Sequence, residues 1–353
     1  MRRLELSLAG FLVGLAFALA RLAAYLAQEQ AAEGASGGSV PIVDVSAFLS
    51  PNATQAQRES VAFAWDAAMS SVGIAVLTGH GVALDSISSL RSSASGFFQM
   101  PHDDKMRASL NKGYGFGGYV PQGVEAVARS SAEPEAPSDL VENYVFNHGG
   151  DSSLEPILPA RPAEFVPDAQ RYWREMNSLL HSLMRLSALA LALPEHTFEA
   201  AFAEPKCNLR LAYYAGLPPA SQPREAGMRY GAHTDYTGFT ILHPDPQVGG
   251  LEIQAADGRW VAVPPQPDGL VINAGDLIQV WTNDRWRSPP HRVVNPTGAA
   301  AEQARLSLVF FTGPHDDTLV TALPTCHGSG NPPRYEAVKA GEHLMRKLMA
   351  TNV

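Results

Sequence analysis

Two periodicities divide the chain. Over residues 53–193 apolar positions recur at three- and four-residue spacing, whereas after Lys206 they alternate in short runs broken by Gly and Pro. The first pattern belongs to helices with one buried face, the second to strands. Val61, Ala64, Trp65 and Met69 predict a helix over about 53–70, and a further helical stretch covers 84–100. Tyr172, Met176, Leu179, Leu183, Leu186 and Leu189 or Ala190 form the stripe of a long helix over about 167–193. Residues 41–45 and 73–81 read as short strands. Eight more are predicted at 208–214, 237–242, 251–254, 260–263, 270–273, 277–281, 291–294 and 305–311, before a closing helix at 335–349. So many short strands punctuated by turn residues predict a mainly β core, a sandwich or jelly roll, flanked by helices. Residues 111–138, rich in Gly and Pro, read as a long loop of the kind that walls a pocket.

The N-terminus stands apart from both patterns. Arg2 and Arg3 precede an apolar run from Leu8 to Ala20, the layout of a signal peptide, with Ala18-Leu19-Ala20 as its cleavage site. Arg21 interrupts the run below the ~20 residues of a membrane span. An uncleaved anchor, an organelle-targeting helix (against which Glu5 speaks) and a leader without an address remain alternatives, the last leaving the protein cytoplasmic. Any membrane contact is expected only through residues 1–27. Residues 28–39 read as a linker, so the folded region starts near Val40.

With 353 residues, 45% of them hydrophobic, the chain suffices for one large domain or two intimate ones. A formal net charge of -9, without a basic stripe, argues against nucleic acid as a partner. Cys207 and Cys326 are the two cysteines and form no Cys-x-x-Cys pair. A thiolate metal site is therefore not expected, and nothing in their spacing supports a disulfide.

The chemistry concentrates in the strand-rich half. His233 and Asp235 are two positions apart, which on a strand puts both side chains on one face. His291 opens a later strand and supplies a second imidazole. Two histidines and one carboxylate suit non-haem Fe(II), because they leave about three of six octahedral positions open. His80, His181 and His243 read as surface or structural histidines. Arg305 and Ser307 are again two apart. A guanidinium that grips a carboxylate bidentately and a hydroxyl that adds one hydrogen bond suit the distal carboxylate of a dicarboxylic keto acid. A hydrolytic zinc site and a salt bridge at a strand end are the competing readings of these residues.

The order of these residues resembles the isopenicillin N synthase-like branch of the Fe(II)/2-oxoglutarate-dependent dioxygenases. The likeness extends over Val40-Pro-Ile-Val-Asp-Val, Gly79-His-Gly-Val, Phe97-Phe98-Gln-Met-Pro, Lys105 and Asp139-Leu-Val-Glu. It is most specific from Gly250-Leu-Glu-Ile-Gln through Asp257-Gly-Arg-Trp and Val271-Ile-Asn-Ala-Gly-Asp to Ser288-Pro-Pro-His-Arg-Val, and returns at Tyr335-Glu-Ala-Val. The resemblance implies a double-stranded β-helix core with N- and C-terminal flanking helices. It implies His233, Asp235 and His291 as iron ligands, and Arg305 and Ser307, with Tyr214 assisting, as ligands of 2-oxoglutarate. Fe(II), 2-oxoglutarate, O2 and ascorbate as a reductant follow from it, as does oxidation of a small organic molecule coupled to decarboxylation to succinate. An oxidase of the same fold that dispenses with 2-oxoglutarate is the alternative activity, and a non-catalytic module that keeps the fold is a third reading. Ala212 stands where plant members usually carry Asn, and residues 295–304 read as an extended hairpin turn between His291 and Arg305.

The expected organisation is an N-terminal targeting or anchor-like segment and linker (1–39), an N-terminal dioxygenase region (40–165), a supporting helix (166–204), the jelly-roll core (205–320) and a C-terminal helical segment (321–353). A monomer is expected. Phe116, Tyr119, Tyr230, Tyr236 and Phe311 are candidate pocket walls, against ordinary core packing. No residue selects a substrate.

Overall fold

The computed structural model describes residues 39–110, 116–130, 135–217 and 228–351. The apolar segment of residues 1–27 and its linker up to residue 38 lie outside the described residues. Among those described, no helix is long and apolar enough to cross a membrane.

The N-terminal half follows its helical pattern. Strand β1 (Ile42–Asp44) leads through the short helix α1 (Ser46–Leu49) to α2 (Gln55–Ser71) and β2 (Ile74–Thr78). Thr54 starts α2 with a reciprocal cap. Its hydroxyl accepts from the Gln57 amide at 3.3 Å while the Gln57 side chain accepts from the Thr54 amide at 2.8 Å. Helices α3 (Leu84–Phe98), α4 (His102–Met106) and α5 (Phe165–Ala190) follow. The stripe of α5 is buried at Tyr172, Met176, Leu179, Leu183 and Leu186. Trp65 of α2 fixes the helix pair, its indole N–H donating to Ser187 Oγ at 3.1 Å. The expected loop at 111–138 also contains structure, namely β3 (Gly118–Val120) and a 3-10 turn at Val127–Ser130, and β4 (Glu142–Phe146) follows it.

The C-terminal half supplies β5 (Asn208–Tyr214), β6 (Met228–His233), β7 (Phe239–His243), β8 (Leu251–Gln254), β9 (Trp260–Ala262) and β10 (Leu270–Ala274). Then come helix α6 (Asp276–Trp281), β11 (His291–Val294), β12 (Arg305–Phe311), the small pair β13 (Leu319–Val320) and β14 (Val338–Lys339), and helix α7 (Ala340–Thr351). Two sheets result. One runs β1-β2-β10-β7-β12-β5-β4-β3 and the other β6-β11-β8-β9, a jelly roll with helices packed outside the larger sheet.

Three expectations are corrected. Residues 276–281 form a helix, not a strand. Leu277, Ile278, Val280 and Trp281 are buried on it, and a short apolar run satisfies either period. Residues 295–304 are no hairpin turn, because β11 lies in the smaller sheet and β12 in the larger, so this connection crosses between sheets. Finally, β6 ends at His233, so Asp235 sits on the loop beyond the strand rather than on it. Cys207 and Cys326 are both free and buried.

Candidate active site

The smaller sheet brings the two histidines together. His291 and His233 are direct cross-strand partners in the antiparallel β11–β6 pair, with ring centroids 4.3 Å apart. Each ring is turned by its own backbone. His233 Nδ1 lies 2.9 Å from the Gly231 carbonyl and His291 Nδ1 lies 3.1 Å from that of Pro289. A carbonyl only accepts, so Nδ1 carries the hydrogen in both and the Nε2 lone pairs point inward.

Asp235 reaches the same point from its loop. Its Oδ1 lies 3.7 Å from His233 Nε2 and 3.6 Å from His291 Nε2. The loop is pinned from behind, the Asp276 amide donating to the Asp235 carbonyl at 2.9 Å. Glycine permits this approach, since a Cβ on Gly275 would meet the Thr237 and Gly238 carbonyl oxygens at 2.7 and 2.6 Å. One donor atom from each of the three residues lies within 4.8 Å of the others. Burial first, and then the charge of His291, holds the His233 imidazole below its ordinary value. A neutral imidazole is the form that binds metal. Two imidazole nitrogens and one carboxylate oxygen fit a first-row divalent ion with open positions.

A second set of residues shares the inward face of the larger sheet. Arg305 pairs with Tyr214 and Ser307 with Ala212 across β12–β5. Arg305 is 2% exposed, and among the described residues no carboxylate pairs with it. Its Nη1 donates to Ser307 Oγ at 2.6 Å, its Cζ lies 5.1 Å from the Tyr214 ring centre, and its Nε has no partner. A buried guanidinium keeps its charge and is costly without an anion. The site therefore fits a carboxylate-bearing co-substrate, and Arg305, Ser307, Tyr214, His233, Asp235 and His291 all line one small cavity of about 60 Å³.

His233, Asp235, Tyr230 and Phe311 line both that cavity and a larger one of about 590 Å³. Of the candidate walls, Phe116, Tyr230, Tyr236 and Phe311 face the larger cavity, and Tyr119 does not. Tyr119 is core. Its ring packs edge-on against Phe97 at 5.9 Å and its hydroxyl donates to Glu142 at 2.5 Å, beside Lys105. Glycine-rich sequence around Tyr119 gave no hint that β3 would turn it inward. His80 and His243 are buried structural residues, as expected of them, His80 lying 3.1 Å from the Asp268 carbonyl.

Several functional contacts are absent from the sequence reading. Asn273 Nδ2 donates to Asp235 Oδ2 at 2.6 Å. Arg210 donates through Nε to Asn143 and through Nη1 to the Tyr230 hydroxyl, each at 2.7 Å, and pairs with buried Glu125 at 3.1 Å. Tyr230 in turn sets its ring edge-on to His233, with centroids 5.0 Å apart. Helix α7 closes the larger cavity with Leu344 and Leu348, while Thr351 meets the Tyr236 hydroxyl at 2.5 Å. Asn273 lies inside a stretch that resembles the family, but only the folded chain brings it and Arg210 to the candidate ligands.

Residues 205–314 match the family model of the 2OG-Fe(II) oxygenase superfamily, and residues 40–168 match that of the non-haem dioxygenase in morphine synthesis N-terminal region. The chain is 33% identical to the 2-oxoglutarate-dependent dioxygenase citB of Monascus ruber over 295 residues, 77% of this chain and 84% of that one. It is 29% identical to validamycin A dioxygenase of Streptomyces hygroscopicus subsp. limoneus over 323 residues, 88% and 86% of the two chains. A 2OG-Fe(II) oxygenase family protein from Caulobacter crescentus superposes with a TM-score of 0.75 at 27% identity, covering 88% of this chain and 99% of that one.

Proposed function

The chain belongs to the 2OG-Fe(II) oxygenase superfamily, and on that premise we propose that His233, Asp235 and His291 hold its iron while Arg305, Ser307 and Tyr214 hold the distal carboxylate of 2-oxoglutarate. The enzyme is an Fe(II)- and 2-oxoglutarate-dependent dioxygenase that couples decarboxylation of 2-oxoglutarate to succinate with oxidation of a small organic molecule. Bound iron supplies O2 activation and the oxidising power for a C–H bond. The chain's own residues do the rest. The Nε2 atoms of both histidines and Oδ1 of Asp235 present three donors on one side, leaving the other side to face the cavities. Arg305 and Ser307 fix the far end of the keto acid, so its keto-acid head is directed toward the three donors.

The observation that carries this assignment is Arg305: a guanidinium 2% exposed, paired with no carboxylate among the described residues, lining the same small cavity as the His-Asp-His cluster. We read the larger cavity as the substrate site. Its wall mixes the aromatic rings of Tyr236 and Phe311 with Leu344 and Leu348, and Asn147 and Asn208 supply polar handles. That composition suits a small, partly apolar molecule with a few hydrogen-bonding groups.

The test is an anaerobic titration of the Fe(II)-loaded protein with 2-oxoglutarate, followed by a substrate screen scored by succinate release. A visible charge-transfer absorption that His233→Ala and Asp235→Ala both remove is the expected result. Full absorption in both variants would sink the ligand assignment.

A further inference from the structure

Arg229, on β6, is a second fully buried guanidinium beside the co-substrate residues, at 1% exposure. Among the described residues no carboxylate pairs with it, and its Nη1 has no hydrogen-bond partner. Its Nη2 reaches three carbonyls: Ala215 at 3.5 Å, Ala301 at 3.4 Å and Gln303 at 3.4 Å. These positions are informative. Ala215 directly follows Tyr214, and Gln303 lies two residues before Arg305 on the connection that crosses between the sheets. Arg229 therefore ties together the two backbone segments that deliver Tyr214 and Arg305. Its Cζ also stands 6.0 Å from the centre of the Tyr214 ring, the ring that Arg305 approaches at 5.1 Å.

Two guanidinium groups thus crowd one buried tyrosine, and among the described residues neither is ion-paired with a carboxylate. Guanidinium hydration is lost on burial, and neutral carbonyl oxygens return only part of it. The positive charge of Arg305, after burial itself, disfavours charge on Arg229, so the pair repel each other. Asp245 nearby favours the charge on both, but its one negative charge is shared with Arg91, with which it ion-pairs at 2.8 Å. A purely structural tether for these carbonyls would need no charge; a Gln or a bound water would serve. An arrangement with surplus buried positive charge is complete when an anion arrives.

We propose that Arg229 is a second, positioning guanidinium of the co-substrate site. It holds the backbone beside Tyr214 and Arg305 in register and adds positive charge behind them, so that the site selects a keto acid with a distal carboxylate. This rests on the assignment of Arg305 to that carboxylate, and it makes Arg229 act through its neighbours, since it does not line the cavity.

The experiment compares two ligands on the Fe(II)-loaded, oxygen-free protein by charge-transfer absorption. One is 2-oxoglutarate. The other is 2-oxopentanoate, which carries the same keto-acid head and no distal carboxylate. In the native protein 2-oxoglutarate binds more tightly; no absorption with it, or equal affinity for the two ligands, would fail the Arg305 assignment itself. Arg229→Gln is expected to weaken 2-oxoglutarate by roughly tenfold, the effect of one charge about 10 Å away at an effective dielectric near 20, and to leave 2-oxopentanoate unchanged. Arg229→Lys keeps the charge and is expected to keep the ratio within about threefold. An unchanged ratio in Arg229→Gln, or equal weakening of both ligands, overturns the proposal and leaves a structural tether. Should the Gln variant fail to fold, the Lys variant decides: a ratio kept supports the role of charge, and a ratio lost overturns it.

Discussion

Asn273 Nδ2 donates to Asp235 Oδ2 at 2.6 Å, and this single bond decides which carboxylate oxygen faces the histidines. With Oδ2 occupied, Oδ1 is the atom at 3.6–3.7 Å from both imidazole Nε2 atoms. Asn273 sits on β10 of the larger sheet, whereas His233 and His291 sit on the smaller one, so the bond also ties the two sheets together at the proposed metal position. Partners of this kind typically contribute 10–100-fold to metal affinity. Asn273→Leu, which keeps the volume and loses the donor, is expected to weaken Fe(II) binding by about that factor. Calorimetric titration of the metal-free protein measures it, and an affinity equal to the native value would remove Asn273 from this role.

Truncating Arg305 takes away the charged hydrogen-bond donor of the proposed co-substrate site. Loss of one partner of a buried charge-assisted pair costs on the order of 2–5 kcal/mol. Arg305→Ala is expected to raise the apparent 2-oxoglutarate constant by about thirtyfold or more while leaving Fe(II) affinity within a fewfold. Iron binding without 2-oxoglutarate separates the two effects. An unchanged 2-oxoglutarate constant would exclude Arg305.

Tyr119 and Phe116 belong to one sequence stretch and are expected to behave oppositely. Tyr119→Phe removes a donor to Glu142 and costs roughly 1–3 kcal/mol of stability with no change in substrate KM. Phe116, at 42% exposure, lines the larger cavity. Phe116→Ala is expected to raise substrate KM and shift stability by less than about 1 kcal/mol. Denaturant unfolding beside steady-state kinetics tests both, and a KM effect in Tyr119→Phe would return that residue to the pocket.

Stability should depend on pH through His243. Burial, and then the charge of Arg91, pushes its pKa down to about 4 from an ordinary 6.5. Between those values the unfolded chain binds a proton that the folded chain refuses, so stability rises with pH across this window and is lost as pH falls from 6.5 to 4. Burial lowers the pKa of His80 as well, with the same sign. The His243 contribution is roughly 2–3 kcal/mol. Unfolding of the metal-free native protein and His243→Gln at pH 6.5 and 4.5 should show a flatter dependence in the variant. Parallel curves for the two proteins would contradict it.

The amino-acid sequence by itself determined the candidate site residues and most of the elements. His233, Asp235, His291, Arg305 and Ser307 stand out because few combinations of residue types hold an open metal site beside a carboxylate grip, and because residues two apart share a strand face. Periodicity likewise exposed α2, α3 and α5, where one buried stripe repeats over several turns. It failed where runs are short. Residues 276–281 satisfy a strand or a helix equally, and β6 has too few alternating positions to announce itself. Only the tertiary structure could place Asp235 beyond its strand, send the connection before Arg305 from one sheet to the other, and turn Tyr119 into the core. The same holds for Asn273, Arg210 and Arg229, whose partners lie far away along the chain. Their roles come from strand register and from the packing of two sheets, and those are set by the burial of many side chains at once rather than by any local pattern.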